Sequence, residues 1–404
     1  MTHESPLHLA VALDGAGWHP AAWREPQARP AELFTAGYWV DLVREAERGL
    51  IDFVTIEDAL GLQSSSFDGP DGRIDQVRGR LDAVGIAARV APLTQHIGLV
   101  PTATVTHTEP FHISKAIATL DYVSGGRAGW RAQVSARANE AAHFGRRSIP
   151  ALRSDQLGTP EALALVTQLF AEAADHVEVV RRLWDSWEDD AEIRDVTTGR
   201  FIDRDKLHSI DFEGRWFSVK GPSITPRPPQ GQPLVTVLAH GTSGYRLAAR
   251  AADVVYVTPH DAAQAGAIEQ EIRAEQVAVG RERERLHVFA DLVVFLDDSD
   301  ALAGARKARL DELAGVGYTS DASVFVGTPA GLADLLVRWS RAGLSGFRLR
   351  PGAIPHDLEA ITRELVPRLR QRGVFRGEYG ASSLRGLLGL GRPANRYAAA
   401  TRTT

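Results

Sequence analysis

The sequence lacks several features that define other classes of protein. It contains no cysteine, which excludes disulfide bonds, a thiolate nucleophile and cysteine-ligated metals. No apolar run approaches the roughly 18 residues that a membrane-spanning helix needs. No basic segment precedes the first apolar run, which is only strand-length, so we expect no signal peptide. The net charge is −5 with both signs interspersed, which argues against a nucleic-acid surface. Together these absences favour a cytoplasmic enzyme.

The order of the apolar segments indicates an α/β fold. With 404 residues, the chain suits one large α/β barrel with insertions, or about two or three average domains. The predicted strands are residues 7–13, 52–58, 97–105, 128–135, 234–239, 254–257, 286–296 and 346–350. Nearly all of them are followed by a helical pattern. Alternating strands and helices predict a parallel sheet, and eight such units predict a closed (β/α)8 TIM barrel.

An open, doubly wound sheet is the alternative fold. It would require a Gly-x-Gly-x-x-Gly loop after the first strand, and residues 14–20 (DGAGWHP) do not form that motif. We therefore favour a single barrel domain over residues 1–404. Three additions are predicted, because long polar stretches inside a domain are usually functional or form a subdomain. They are an insertion or lid at about 136–160 after strand four, a hairpin-containing insertion at about 191–229 before strand five, and a C-terminal extension at about 374–404.

The barrel predicts where the chemistry takes place, because active sites of such barrels lie at the carboxyl ends of the strands. The candidate ligand-binding residues are Trp18 and Trp23 after strand one, Asp58 after strand two, Thr102 and Thr104 on one face of strand three, Ser135 at the end of strand four, and His240, Gly241, Thr242, Ser243 and Gly244 after strand five. This set is mainly apolar and aromatic with few charges. It suits a large planar ligand with one polar end.

The turn at residues 241–244 precedes a predicted helix. Free backbone N–H groups and the helix dipole make such a turn an anion site, and a phosphate is the plausible anion. The alternative is a plain N-cap formed by Thr242 or Ser243 without a ligand. Asp58 is likewise either a ligand contact or a salt-bridge partner inside the barrel mouth.

Two histidines are candidate catalytic residues. His19 and His107 each have a side chain that exchanges protons near neutral pH. The alternative for each is a hydrogen-bonding loop histidine. The acidic residues of 185–190 (DSWEDD) lack the spaced partners of a metal site, so we predict no metal.

Longer segments carry a family likeness. They are residues 51–58, 97–106, 110–112, 120–130 (LDYVSGGRAGW), 183–188 (LWDSWE), 212–233, 325–351 and the closing run RGEYGASSLRGLLGLGRPANR. In this order and combination the chain resembles the luciferase-like flavin-dependent monooxygenases, especially the nitrilotriacetate and dibenzothiophene-sulfone monooxygenase branch. The likeness extends over essentially the whole chain.

The resemblance implies a barrel that binds reduced FMN supplied by a separate flavin reductase. Oxygen would add to the flavin to give a C4a-(hydro)peroxide, which oxidises a small organic substrate. The protein would hold the flavin, exclude water and orient the substrate. On this interpretation Asp58, Thr102, Thr104, Ser135 and residues 240–244 bind the cofactor. Trp18 and Trp23 contact the substrate, and His19 and His107 are catalytic. A homodimer or homotetramer is also implied.

The chain departs from the family where the flavin phosphate is bound. After LDYVSGGRAGW the family usually continues Asn-Val-Val-Thr-Ser, whereas this chain has Arg-Ala-Gln-Val-Ser at 131–135. The family's arginine–tyrosine pair corresponds to Leu169 and Phe170, and its phosphate-binding serine corresponds to Gly241.

Three interpretations of these departures stay open. Thr242, Ser243 and backbone amides, with Arg131 or an arginine of the insertion, take over the phosphate. Alternatively, the cofactor is the deazaflavin F420, for which Arg131, Arg137, Arg146 and Arg147 would provide a basic mouth. In the third interpretation the barrel has lost flavin chemistry and acts as a binding or structural protein.

Overall fold

Eight parallel strands close into a barrel, as the sequence predicts. The computed structural model describes residues 7–64, 69 and 71–398. The barrel strands are β1 (His8–Leu13), β2 (Phe53–Ile56), β3 (Gly98–Thr104), β4 (Gly129–Gln133), β9 (Leu234–Leu238), β10 (Val254–Val257), β11 (His287–Leu296) and β13 (Gly346–Pro351). Each pairs in parallel with the next, β13 returns to β1, and β10 pairs with β11. The (β/α)8 TIM barrel is therefore confirmed.

The remaining strands lie outside the closed barrel. β12 (Ser323–Gly327) adds in parallel to the second half of β11. Two short antiparallel pairs lie between α5 and β9, in the segment for which the sequence predicts an insertion with a hairpin. They are β5 (Glu192–Asp195) with β6 (Arg200–Ile202), and β7 (Phe212–Glu213) with β8 (Ser218–Val219).

Helices surround the barrel. They are α1 (Ala36–Arg48), α2 (Ala83–Val90), α3 (Pro110–Ser124), α4 (Ala138–Phe144), α5 (Pro160–Asp185), α6 (Thr242–Ala251), α7 (Ala262–Ala278), α8 (Asp300–Ala314), α9 (Pro329–Ser340), α10 (His356–Ala360), a π-helical turn (Ile361–Leu365), α11 (Val366–Gln371) and α12 (Leu384–Leu387). Within the described part of the chain, none of them is both long and apolar enough to cross a membrane.

The lower end of the barrel, where the strands begin, is filled by apolar side chains and by the C-terminal segment. Successive strand residues face opposite sides of the sheet, so Phe53 and Phe289 point inward while their neighbours pack on the helices. Leu384 and Leu388 of the α12 region join this inner cluster. The carbonyl of Leu388 also lies 2.9 Å from Nε2 of His287. The C-terminal segment therefore closes the lower end.

The motif LDYVSGGRAGW has a structural explanation. The Asp121 carboxylate accepts hydrogen bonds from the N–H of Ala128 and from the backbone and side-chain amides of Gln230, at 2.6–3.2 Å. Gly125 and Gly126 adopt φ of +66° and +89°, a backbone conformation that other residues take only with strain. The motif thus fixes the step from α3 into β4.

Arg127 of the same motif anchors the turn to the preceding unit. Its guanidinium donates to the carbonyls of Ala91, Thr94, Ile97 and Ser124 at 2.8–3.1 Å. The side chain is almost fully buried. Arg127 therefore serves the scaffold and not the ligand site.

We expect Asp121→Asn to lower the free energy of unfolding by about 1–3 kcal/mol, because an amide offers one acceptor oxygen and leaves a buried donor unsatisfied. Urea unfolding followed by circular dichroism measures this loss. Asp298→Asn, at an exposed position, is the control and should change the free energy by less than about 0.5 kcal/mol. An equal effect of both substitutions would contradict this account.

A buried histidine lies in the middle of α5. His176 is 2% exposed and packs between the rings of Trp130 and Phe217, whose centroids lie 5.8 and 6.3 Å away. Its Nε2 has no hydrogen-bond partner among the described residues. Burial lowers the pKa of this imidazole from 6.5 to about 3.

This pKa makes stability depend on pH. Between about pH 6.5 and 3 the unfolded chain binds the proton more readily than the folded chain. Acidification therefore destabilises the protein, by up to ~1.4 kcal/mol per pH unit from this residue. Urea unfolding at pH 7, 6 and 5 should show a shallower pH dependence for His176→Phe than for the wild type. His112→Phe, on the exposed face of α3, should keep the wild-type slope, and an unchanged slope in His176→Phe would disprove the assignment.

Candidate functional site

A cavity of about 920 Å³ opens at the carboxyl ends of the barrel strands. Its wall contains aromatic and aliphatic side chains, namely Trp18, Trp23, Val77, Val134, Phe170, Leu238, Leu247 and Tyr318. Its floor is polar and charged. The cavity can therefore hold a planar apolar body with a polar group directed toward the barrel interior.

The floor is built on charged residues of strands β4, β11 and β13, together with Glu57 just after β2 and Asp321 just before β12. Arg348 of β13 donates to Asp291 at 2.5 and 2.8 Å and to Glu57 at 3.0 Å. Arg350, two residues later, bonds to the same Asp291 and to Asp321 at 2.6 Å. Because strand side chains alternate, Arg348 and Arg350 both point into the barrel.

The neighbouring arginines keep the buried carboxyl groups ionised. Burial alone would raise the pKa of Glu57, but Arg131, Arg348 and other nearby arginines outweigh it and hold the pKa below its usual range. The pKa of Asp291 is lowered in the same way, against burial, by Arg348 and Arg350. Both carboxylates are therefore charged at neutral pH.

Arg131 of β4 lies at the edge of this floor. Its Nη1 lies 2.7 Å from Glu57, 3.1 Å from the Thr102 hydroxyl and 3.1 Å from Oε1 of Gln133. Its Nε is buried without a hydrogen-bond partner among the described residues. Arg131 lines the cavity although it is only 6% exposed.

The two predicted threonines lie beneath this layer. Thr102 and Thr104 share one face of β3, as predicted, and are paired in register with Arg131 and Gln133. Both threonines are buried, and the arginine and the glutamine line the cavity in their place. The side chain of Gln133 also donates to the carbonyl of Asp58 at 3.1 Å.

The loop after β1 supplies one wall. Trp18 donates to the carbonyl of Ala12 at 3.2 Å, and the Arg350 guanidinium stacks on its ring at 4.4 Å. Trp23 donates to the carbonyl of Asp75 at 3.0 Å. Both tryptophans face the cavity, and both are held by bonds that orient their rings.

His19 also lines the cavity, but both of its ring nitrogens have protein partners. The N–H of Ala21 donates to Nδ1, so the proton must lie on Nε2, which is 3.0 Å from the Asp311 carboxylate. Burial lowers the pKa of His19, and Asp311 only partly offsets this effect. The ring is therefore held as a neutral tautomer that links the first loop to α8.

Asp58 and Ser135 lie at the cavity wall, each held by neighbouring groups. The Asp58 carboxylate accepts the N–H of Ala59 at 2.7 Å and of Ala83 at 2.9 Å. Burial raises its pKa despite these bonds. The Ser135 hydroxyl donates to Glu140 at 2.7 Å.

The turn after β9 begins α6 beside the cavity. His240 lines the cavity, with Nδ1 3.2 Å from the Thr258 hydroxyl. Gly241 is the N-cap and provides no side-chain cap. Thr242 donates to Glu271 at 2.8 Å, and Ser243 lies 3.5 Å from the Thr167 hydroxyl. The alternative of an N-cap formed by the Thr242 or Ser243 hydroxyl is thus wrong, because both side chains turn to other helices.

His107 lies away from the cavity. It is 7% exposed and stacks on Phe144 of α4, with ring centroids 5.3 Å apart. Neither ring nitrogen has a hydrogen-bond partner among the described residues. Burial lowers its pKa, and Arg147 adds to the effect. The structure does not bring His107 together with the other candidate residues.

Sequence reasoning did not place Glu57, Asp291, Arg348 and Arg350 in the site. The sequence does contain an indication of these residues. Asp291 interrupts the apolar run of residues 288–296, and Arg348 and Arg350 alternate with apolar residues in the short buried strand 346–351. Charged residues on the inner face of a strand need partners.

The described residues contain no cluster of three or more His, Asp or Glu side chains that could hold a metal ion.

Comparison with known proteins agrees with this geometry. The sequence matches the family described as "Luciferase-like monooxygenase" over residues 16–317. It is 30% identical to N-acetyl-S-(2-succino)cysteine monooxygenase of Bacillus subtilis (strain 168), covering 97% of this chain and 98% of the relative. It is also 30% identical to nitrilotriacetate monooxygenase component A of Aminobacter aminovorans, with the same two coverages.

Solved structures share the architecture. Long-chain alkane monooxygenase superposes with a TM-score of 0.84 at 22% identity, covering 98% of this chain and 99% of the other. DmoA from Hyphomicrobium sulfonivorans gives a TM-score of 0.83 at 25% identity, with coverages of 99% and 96%. The chain therefore belongs to the luciferase-like monooxygenase family and is a monooxygenase.

Proposed function

We propose that the protein is the oxygenase component of a two-component system, which uses reduced FMN from a separate flavin reductase and O2 to oxidise a small organic substrate. The observation that carries the proposal is the cavity of about 920 Å³ with an apolar wall, a polar floor and an adjoining helix N-terminus. One relative is named as component A of its monooxygenase, and one solved structure of this fold is a riboflavin lyase with modified FMN.

The cavity fits an isoalloxazine ring. The Trp18 indole is fixed by Arg350 on one face and by its own N–H bond. Phe170 and Leu238 add apolar surface to the wall. Rigid walls of this kind orient a planar ring and exclude water around it.

The N-terminus of α6 fits a phosphate through its backbone. The N–H groups of residues 242–244 have no acceptor among the described residues, and the N–H of Tyr245 is the first to bond back, to Gly241. A Cβ on Gly244 would lie 2.8 Å from Cβ of Ala239, so glycine allows the helix to start against the end of β9. Free amides at a helix N-terminus stabilise an anion. In this chain the amides take the place of the family's serine.

The charges do not favour F420. Its longer anionic tail would need a basic mouth, for which the sequence offered four arginines. Arg146 and Arg147 are paired with Glu109 and Glu172, and Arg131 is paired with Glu57 through Nη1, which leaves only one edge of its guanidinium for a ligand. We therefore infer FMN.

When bound, reduced FMN supplies the electrons that activate oxygen. The residues of this chain bind and shield it. Asp58, whose carboxylate is held by two backbone N–H groups, offers a fixed polar contact at the rim. Trp18 and Trp23 shape the space left for the substrate. Relatives are named for nitrilotriacetate, a sulfone, a sulfide and alkanes, so the family name alone does not define the substrate.

Anaerobic titration of the purified protein tests the cofactor. We expect saturable binding of reduced FMN, weaker binding of riboflavin, which lacks the phosphate, and no saturable binding of F420. Flavin absorbance and protein fluorescence measure all three. A protein that binds no reduced flavin, or that prefers F420, would contradict the proposal.

We expect Gly244→Ala to weaken FMN binding by about fivefold, because the added Cβ displaces the helix start and a helix-terminus contact is worth ~1 kcal/mol. Riboflavin binding should change little. Gly304→Ala is the matched control, since its Cβ meets no atom within 4 Å. If Gly244→Ala weakens riboflavin and FMN equally, the phosphate does not lie at α6.

A further inference from the structure

The guanidinium of Arg131 is only partly satisfied by the protein. An arginine carries five N–H donors. The two on Nη1 face Glu57, Thr102 and Gln133. Nε is buried without a partner among the described residues. Nη2 also makes no hydrogen bond to a described residue, and it is not fully buried. Buried donors without acceptors are costly, most of all on a charged group.

Two neighbouring arginines show what the edge of a guanidinium formed by Nε and Nη2 binds in this cavity. Arg80 places its Nε and Nη2 side-on against Asp14, at 3.2 and 2.5 Å. Arg350 directs the same two nitrogens at one oxygen, Oδ2, of Asp291. All three arginines line the cavity. The Nε–Nη2 edge of Arg131 therefore differs from the other two in lacking a carboxylate.

The charged residues around Arg131 also indicate that this edge binds an anion. Its carboxylate partner, Glu57, is shared with Arg348, and Asp291 is shared between Arg348 and Arg350. Three buried arginines thus share two buried carboxylates. The third carboxylate, Asp321, bonds to Arg350 and its side chain is 41% exposed at the rim. Within the buried layer next to Arg131, three guanidinium groups therefore face two carboxylates, and the third carboxylate lies at the rim on Arg350.

We propose that the Nε–Nη2 edge of Arg131 is an anion-binding subsite that receives a planar group with two acceptors on one carbon. A guanidinium fork matches that geometry with two parallel hydrogen bonds. Two sources have this chemistry. One is a carboxylate of the substrate, and the other, which rests on the proposed function, is the N1–C2=O edge of anionic reduced flavin.

The first arm of the test uses the flavin-free protein and isothermal titration with benzoate and with benzamide, its neutral counterpart. If the source is a carboxylate, benzoate binds and benzamide does not. Arg131→Lys keeps the charge but loses the fork, and should weaken benzoate about tenfold. Glu57→Gln removes the competing carboxylate and should tighten benzoate binding. Arg80→Lys, whose edge is already occupied by Asp14, should change it by less than about twofold.

The second arm uses FMN under anaerobic conditions. If the source is reduced flavin, Arg131→Lys weakens reduced FMN about tenfold more than oxidised FMN, and so lowers the reduction potential of the bound flavin. A structural role alone would weaken both redox forms equally. The double variant Glu57→Gln/Arg131→Gln keeps the charge balance of the floor, and its urea unfolding separates loss of folding from loss of binding.

The outcomes are distinguishable. A wild type that binds no flavin but binds benzoate through Arg131 disproves the proposed function and supports the subsite. If Arg131→Lys loses the same factor of affinity for oxidised and for reduced FMN, and benzoate binding does not depend on Arg131, the subsite is overturned and the proposed function stays intact. A wild type that binds neither probe overturns both.

Discussion

Ion pairs inside the barrel determine the shape and polarity of the site. Arg348 is fully buried between Glu57 and Asp291, at a level where barrels of this kind usually place branched apolar residues. Removing one partner of such a pair leaves a buried charge uncompensated, which costs far more than a surface ion pair contributes. Arg348, Glu57 and Asp291 therefore depend on one another for their positions. Asp291 also fixes the orientation of Arg350, whose guanidinium holds the Trp18 ring in place.

The fold was predictable because each barrel strand can be recognised from the residues of its own segment. All eight barrel strands occur where apolar runs end in turn residues, since a parallel barrel buries both faces of each strand. The elements that were missed have weak local signals. β12 is only partly buried over most of its length, and α4 has seven residues in a segment of mixed pattern. Their conformation depends on neighbours that are distant in the sequence, which periodicity does not reveal.

The site was less predictable than the fold. The strand-end rule correctly gathers Trp18, His19 and Asp58 around one cavity, because geometry places all strand ends together. It cannot reveal what each side chain meets. The partner of His19 is Asp311, 292 positions away, and a residue with two bonded nitrogens behaves differently from a free base. The substitution of arginine at position 131 was visible in the sequence, but its three-way bonding at Nη1 was not.

The closed lower end of the barrel has a kinetic consequence. Leu384, Leu388 and the bond from His287 to the Leu388 carbonyl fill that end, so the floor communicates with solvent through the mouth. A ligand that contacts Arg131 and a ligand at the mouth therefore share the opening at the carboxyl ends of the strands. When the mouth is filled, the deeper ligand stays in place until the outer one leaves.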